Sequence, residues 1–317
     1  MSGTEEKLRI DDPVEILMAV YNGEAFLAEQ IDSILRQSDG RWRLTISDDG
    51  STDGSAAIID DYVRRYPGRI SRHRPDRRFG NARDHFFHLM ERCDARYMLF
   101  CDQDDVWYPE KVEKTRKALE DAESEWGADT PALVFSDQVP TDEALKPLAA
   151  SLMRYQKQYF GHFDYRSILM QNVVTGGAMG VNRALARLGG RCGDTSRIIM
   201  HDWWLAAVAA RFGKIVYIDE PLGIYRQHGN NAVGAKDVGS AGHVIGRLRH
   251  IGDVRALIAC KKEQAQTFCE TYHELLSEDD RRFLSSFARP RSGPVFYLKH
   301  RSEIHGFFRL AGMMVLG

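Results

Sequence analysis

The residues Val14-Glu-Ile-Leu-Met-Ala-Val20, continued at once by Tyr21-Asn22-Gly23, decide how the rest of the chain is read. A short apolar run closed by a turn has the length and composition of a buried strand. The next three runs support that reading. Apolar strand-like stretches at Trp42–Ser47, Arg69–His73 and Tyr97–Cys101 alternate with amphipathic helical ones at Glu24–Gln37, Ser55–Tyr66, Asn81–Glu91 and Glu110–Ala122. That alternation is the signature of a parallel sheet covered by helices, so the first hundred residues read as a doubly wound α/β half. Pro109 stands at a helix start, where its missing N–H costs nothing.

A fifth strand is expected at Ala132–Phe135, then a longer one at Asn172–Val181, a helix around His201–Arg211, and two short strands at Lys214–Ile218 and Gly223–Arg226. The organisation expected is a tail over 1–12, a catalytic domain over 13–236 and a helical C-terminal extension over 237–317. With 43 basic against 45 acidic side chains, no global positive field announces a nucleic-acid partner. The five cysteines contain no Cys-x-x-Cys pair, which argues against a disulfide framework or zinc cluster and for a reducing compartment. A polar N-terminus and the lack of a long apolar run lead to the expectation of a cytoplasmic protein. The aromatic and basic stretch from Phe296 to Gly317 leaves peripheral membrane contact, a dimer face or packing on the catalytic domain open.

Ligands of open parallel sheets lie outside the carboxyl ends of the strands. Here those ends read Tyr21-Asn22-Gly23, Asp48-Asp49-Gly50-Ser51-Thr52-Asp53-Gly54 and Asp102-Gln103-Asp104-Asp105, which puts an aromatic face and an excess of carboxylates around one crevice. Carboxylates crowded together repel unless a cation or hydrogen-bond donors compensate them, and a hard divalent ion is the natural compensation. Asp102 and Asp104 would point the same way if the strand continued through them. An EF-hand is excluded because its sixth position is Trp107 where glycine is required. Asp-rich turns also serve their own backbone, and Asp53 reads best as the N-cap of the next helix. There is no glycine-rich phosphate loop, nucleophile elbow or His-Glu-x-x-His helix.

The segments Leu17-Met-Ala-Val-Tyr-Asn-Gly23, Ser47-Asp-Asp-Gly-Ser-Thr-Asp53 and Cys101-Asp-Gln-Asp-Asp-Val-Trp107 resemble glycosyltransferase family 2. The likeness continues through Val174-Thr-Gly-Gly-Ala-Met-Gly180, His201-Asp-Trp-Trp204 and Tyr225-Arg-Gln-His-Gly-Asn-Asn231, and within the family it is most like that of bacterial rhamnosyltransferases of surface-polysaccharide assembly. It implies a GT-A fold and an inverting, metal-dependent transfer using Mg²⁺ or Mn²⁺. The donor would be a nucleoside-diphosphate sugar, dTDP- or UDP-linked, and the acceptor a saccharide carried on a lipid.

Carried over residue by residue, the resemblance places Ala19, Tyr21, Asn22, Asp49, Asp102 and Gln103 at the donor, with Tyr21 stacked on the base and Asp49 on base or ribose. It places Asp102, Asp104 and His228 at the metal, and Asp202 as catalytic base, with an N-cap role as the plain alternative. Gly176, Gly177, Trp203 and Trp204 are the acceptor or sugar candidates, the tryptophans otherwise being core and the glycines helix-packing positions. The stretch Phe79-Gly-Asn-Ala-Arg-Asp-His-Phe86 departs from the family's asparagine-rich pattern; Arg77, Arg78 and Arg83 beside it read as a solvated face rather than diphosphate ligands. A nucleotidyltransferase and a non-catalytic nucleotide-sugar-binding scaffold are the alternatives.

Overall fold

The computed structural model describes residues 12–158, 163–229, 251–289 and 293–301. Strand β1 (Val14–Val20) is central. Its alternation splits the core in two, Ile16, Met18 and Val20 facing one helical layer and Leu17 the other. Helix α1 (Leu27–Leu35) answers on the first side with Leu27, Ile31 and Ile34, a helical stripe that is fully buried. On the second side α3 (Ala82–Glu91) contributes Phe86, Phe87 and Met90.

The sheet order is β3-β2-β1-β4-β7-β6-β8-β5. Strands β2 (Trp42–Asp48), β3 (Ile70–His73) and β4 (Tyr97–Asp102) join β1 in parallel, as the helices between them require. The expected strand at 172–181 shrinks to β7 (Met179–Asn182), which runs antiparallel to β4 and to β6 (Ala132–Thr141). The stretch before it is pulled off the sheet into a 3₁₀ turn at Gly176–Ala178, and this turn lies against the acidic crevice.

The two expected strands after residue 213 are a single strand, β8 (Lys214–Arg226), paired in parallel with β6 across register shifts near Asp137. β6 accordingly runs past the expected Phe135. Its polar middle hides the strand from a hydrophobicity reading, because Asp137 is buried and accepts from the Leu152 and Met153 amides. A two-residue strand, β5 (Val106–Trp107), pairs with the end of β8.

Boundaries also move. Helix α1 starts at Leu27 rather than Glu24, and α4 (Lys111–Trp126) outruns its expected end. Helix α2 (Ser55–Arg65) is capped by Gly54, not Asp53. Asp53 instead braces two loops, one oxygen taking the Ser55 amide and hydroxyl and the other the Glu24 amide.

Helix α5 (His201–Phe212) is apolar nearly all round, as expected of a helix buried between layers. Helices Ile251–Thr271 and Glu278–Ala288 cover its outer side, with Trp204 edge-on to Phe268 at 5.6 Å between centroids and Arg211 paired to Asp280 at 2.6 Å. The described part of the C-terminal extension therefore continues the core of the sheet domain. The tail over 1–11 and the membrane candidate beyond residue 301 lie outside the described residues. No described helix is long and apolar enough to cross a membrane.

Candidate active site

At the ends of β1, β2 and β4 the loops are tied into one another before any ligand is considered. Asn22 adopts a left-handed backbone (φ 49°), a conformation asparagine tolerates better than most residues. Its amide donates to Ser51 Oγ and its side-chain oxygen accepts from the Thr52 amide. Gln103 is clamped in both directions on Tyr21, accepting from its N–H at 2.8 Å and donating to its carbonyl at 3.0 Å. A Cβ at position 23 would lie 2.5 Å from Gln103 Oε1, so Gly23 is required for this clasp. Gln103 thus reaches the donor region as the support of Tyr21. Gln103→Ala should cost about 1 kcal/mol in a denaturant melt, the worth of an ordinary hydrogen bond or two, and weaken nucleoside binding severalfold; unchanged nucleoside affinity in a titration would separate the clasp from recognition.

Tyr21 is 44% exposed, and the Arg78 guanidinium lies over its ring at 4.6 Å. Arg78 is exposed and at the same time lines the cleft. Arg83 is turned away, holding Asp84 and the Ile198 carbonyl. Asp49, almost wholly buried, accepts from the Phe79 amide at 2.6 Å and the Gly80 amide at 2.7 Å. Any contact it makes to a base or ribose uses its remaining lone pairs. The same two bonds pin the loop after β3 beside the cleft.

The cleft has a volume of about 300 Å³, and Ala19, Tyr21, Asp49, Asp102, Gln103, Asp104, Gly176 and Asp202 are among the residues that line it. Asp102 and Asp104 do not meet by strand alternation. β4 ends at Asp102, and a turn at 103–104 carries Asp104 round to His228, whose Nε2 is 2.7 Å from Asp104 Oδ2. Burial, then the charges of Asp104 and Asp202, push the Asp102 carboxyl up to about 7, opposed by the Gly177 amide. Asp105, fully enclosed, is also raised well above the usual carboxylate range by burial and by Asp102 and Asp104. A Cβ on Gly177 would lie 2.7 Å from Asp102 Oδ2 and 2.8 Å from Asp105 Oδ2, so this glycine makes room for carboxylates.

Asp202 lies inside the first turn of α5, whose N-cap is Met200, so the simple capping role falls away. Its carboxyl is pushed up to about 7 by burial, against hydrogen bonds from the Trp203 and Gly176 amides and the Asn172 side chain. The tryptophan expectation is corrected. Trp204 is fully buried with its indole N–H on the Gly189 carbonyl, and Trp203, 9% exposed, donates to the Ile168 carbonyl. Neither presents a face to an acceptor; each holds α5 in place behind Asp202.

Three participants were missed in the sequence. Arg226 is buried beside the acidic turn, donating to the Asp104 carbonyl at 2.9 Å and pairing with Glu29. Lys111, the first residue of α4, is enclosed with no hydrogen-bond partner for its Nζ among the described residues. Burial lowers its ammonium to about 8 while Asp105, Cys101 and Asp102 oppose that shift, so it is a cation set behind the carboxylates. Asn172 reads in sequence only as a strand start. Its position shortly before a glycine pair is a signal, but nothing local links it to Asp202.

The donor set suits a hard divalent cation. Two cleft-facing carboxylates and an imidazole offer oxygen and nitrogen atoms, and the repulsion that adds to burial in raising Asp102 is what a cation would relieve. Among the described residues no group of three or more His, Cys, Asp or Glu side chains is placed so as to hold a metal ion as it stands. Mg²⁺ commonly takes one or two protein carboxylates and completes its shell with substrate phosphates and water.

The family model for glycosyl transferase family 2 matches residues 15–128. The dTDP-rhamnosyl transferase RfbG of Shigella flexneri is 30% identical over 232 residues, 69% of this chain and 74% of that protein. The crystal structure of S. aureus TarS 1-349 aligns with a TM-score of 0.56 at 10% identity, over 96% of this chain and 90% of that one. The mannosyltransferase PcManGT from Pyrobaculum calidifontis, in complex with GDP-Man and Mn2+, aligns with a TM-score of 0.52 at 13% identity, over 95% and 86%. The structural likenesses establish the GT-A-like fold.

Proposed function

Since the chain belongs to glycosyltransferase family 2, we propose that it is an inverting, divalent-metal-dependent rhamnosyltransferase, moving rhamnose from dTDP-rhamnose to a lipid-linked saccharide acceptor in surface-polysaccharide assembly. The observation that carries the reaction is a carboxyl raised to about 7, Asp202, in the same cleft as Asp102 and Asp104. The choice of rhamnose rests on the similarity to RfbG, a dTDP-rhamnosyl transferase by name.

Each residue has a separate task in this reading. Tyr21 takes the base against its exposed ring and Asp49 holds the base or ribose from the side, with Ala19 and Asn22 shaping the slot. Asp102, Asp104 and His228 would hold the cation, which would supply a positive charge to the departing diphosphate. Asp202 accepts the proton of the attacking acceptor hydroxyl as the new bond forms at the anomeric carbon and the bond to the diphosphate oxygen breaks. A base poised near neutral pH suits that transfer, and burial is the cause of the poise. Gly176 and Gly177 let backbone amides approach the carboxylates, leaving space for sugar above them.

A thermal-shift panel with Mn²⁺ and dTDP, UDP and GDP tests the donor, because a ligand that binds only the folded state raises its stability. The expected result is a metal-dependent shift largest for dTDP. A larger shift with UDP or GDP would discard the dTDP donor but keep the transferase. No shift with any nucleotide would count against the whole reading.

A further inference from the structure

Arg226 has no task in this mechanism, yet it joins the parts of the chain that carry Asp104 and His228. It is the last residue of β8, and its side chain is 4% exposed. Its guanidinium donates in three directions: Nε to the Asp104 carbonyl at 2.9 Å, Nη1 to the Glu143 carbonyl at 2.7 Å, and Nη2 to the Glu29 carboxylate. The acceptors belong to the acidic turn after β4, the loop after β6 and the first turn of α1. A buried charge is kept where its polar groups are met, and two of these bonds end on main chain, so they fix backbone.

The Arg226 main chain adds to the same junction. Its amide points at Asp105 Oδ1 at 3.4 Å, and the Gln227 amide donates to the Thr141 carbonyl at 3.0 Å, which sets the path of the chain into His228. The His228 ring lies 4.8 Å from that of Phe26, and the Arg226 guanidinium lies over Phe26 at 4.7 Å. Asp104 and His228, which meet at 2.7 Å, are therefore both set from Arg226. One is held through its carbonyl, the other through Phe26 and two residues of chain.

We propose that Arg226 is the positioning residue of the cation site, its fork fixing the acidic turn and the end of β8 so that Asp104 and His228 serve the same ion. The inference rests on the metal-dependent glycosyltransferase reading for that ion. Arginine suits the task because its planar fork sends N–H groups along fixed directions, whereas the lysine ammonium is a point charge on a flexible stem. Its charge alone would act the other way. A guanidinium beside a cation site repels the ion, so if Arg226 were only a charge, its removal would tighten metal binding.

The test is Mn²⁺ titration of the full chain with dTDP in fixed excess, followed by the electron paramagnetic resonance signal of free Mn²⁺. Arg226→Met and Arg226→Lys should each bind Mn²⁺ about 10- to 100-fold more weakly, the usual loss when a partner that orients a metal ligand is removed. Lysine should not rescue, because it keeps the charge and loses the fork. Thymidine, which has no phosphate for the ion, should bind both variants as it binds the wild type; a parallel loss would mean that Arg226 supports the whole cleft, and would overturn the proposal. Glu29→Ala decides the matter if neither arginine variant folds, since Glu29 is half exposed and only anchors the fork. It should weaken Mn²⁺ binding severalfold, and the loss should persist in high salt, where the field of a half-exposed carboxylate is screened. Unchanged or tighter Mn²⁺ binding in a folded arginine variant, or a Glu29→Ala loss that salt removes, would overturn the proposal. A wild-type protein that takes up no Mn²⁺ with dTDP fails the metal reading instead, and with it the ion that Arg226 serves.

Discussion

Asp202→Asn is expected to lower sugar transfer by about 10²- to 10⁴-fold, the usual range for removal of a general base, while metal-dependent dTDP binding stays at the wild-type level. The amide keeps the shape and can still take the Trp203 and Gly176 amides, but it cannot accept the acceptor's proton. Single-turnover transfer and nucleotide titration on the same preparation separate the two quantities. Substantial residual transfer would remove Asp202 as the base. In the wild type, turnover should fall as pH drops below about 7, because the carboxyl held up by burial becomes protonated there.

Stability carries the opposite trend. The folded Asp202 keeps its proton from its ordinary value of 3.8 up to about 7, whereas the unfolded chain has released it. The favourable contribution is therefore complete below about 4 and is lost as pH rises from there through 7. In metal-free denaturant melts at pH 5 and pH 8, the Asn variant should gain on the wild type at the higher pH. An identical difference at both values would mean that Asp202 ionises normally.

Asp104→Ala should abolish the Mn²⁺-dependent part of nucleotide binding. Loss of a mere supporting contact to a metal ligand commonly costs 10- to 100-fold in affinity, so loss of a ligand should cost at least about 100-fold. Asp104 also meets His228 at 2.7 Å, and removing the carboxylate releases that imidazole from its position. Thymidine, which lacks phosphates, should bind the variant as it binds the wild type, since Tyr21 and Asp49 are untouched. A Mn²⁺ titration indistinguishable from the wild type's would end the proposed role of Asp104.

The parallel half of the sheet was legible because its central strands, β1 and β4, are short apolar runs and amphipathic helical stretches alternate with the strands. Leu27, Ile31 and Ile34 repeat at helical spacing and Ile16, Met18 and Val20 at strand spacing, and both patterns follow from local geometry. The second half defeated the same reading where polarity and burial part company. Ser136, Asp137 and Gln138 sit buried inside β6, and β8 runs on through Pro221 past the point where hydrophobicity fades. The missed Lys111 and Arg226 are of the same kind, since a buried cation cannot be told from a surface one until its surroundings are known.

Residue order by itself determined the layered α/β architecture, the family likeness, and which segments carry Tyr21, Asp49, Asp102, Asp104 and Asp202, because periodicity and strand-end position are properties of neighbours along the chain. Only the tertiary structure decided what those side chains face: that Gln103 is engaged on Tyr21, that Trp203 and Trp204 belong to the core, and that Asp202 and Asp102 are held near neutrality. Burial, charge proximity and the fit of Gly177 against two carboxylates arise between residues dozens of positions apart, and no local pattern encodes them.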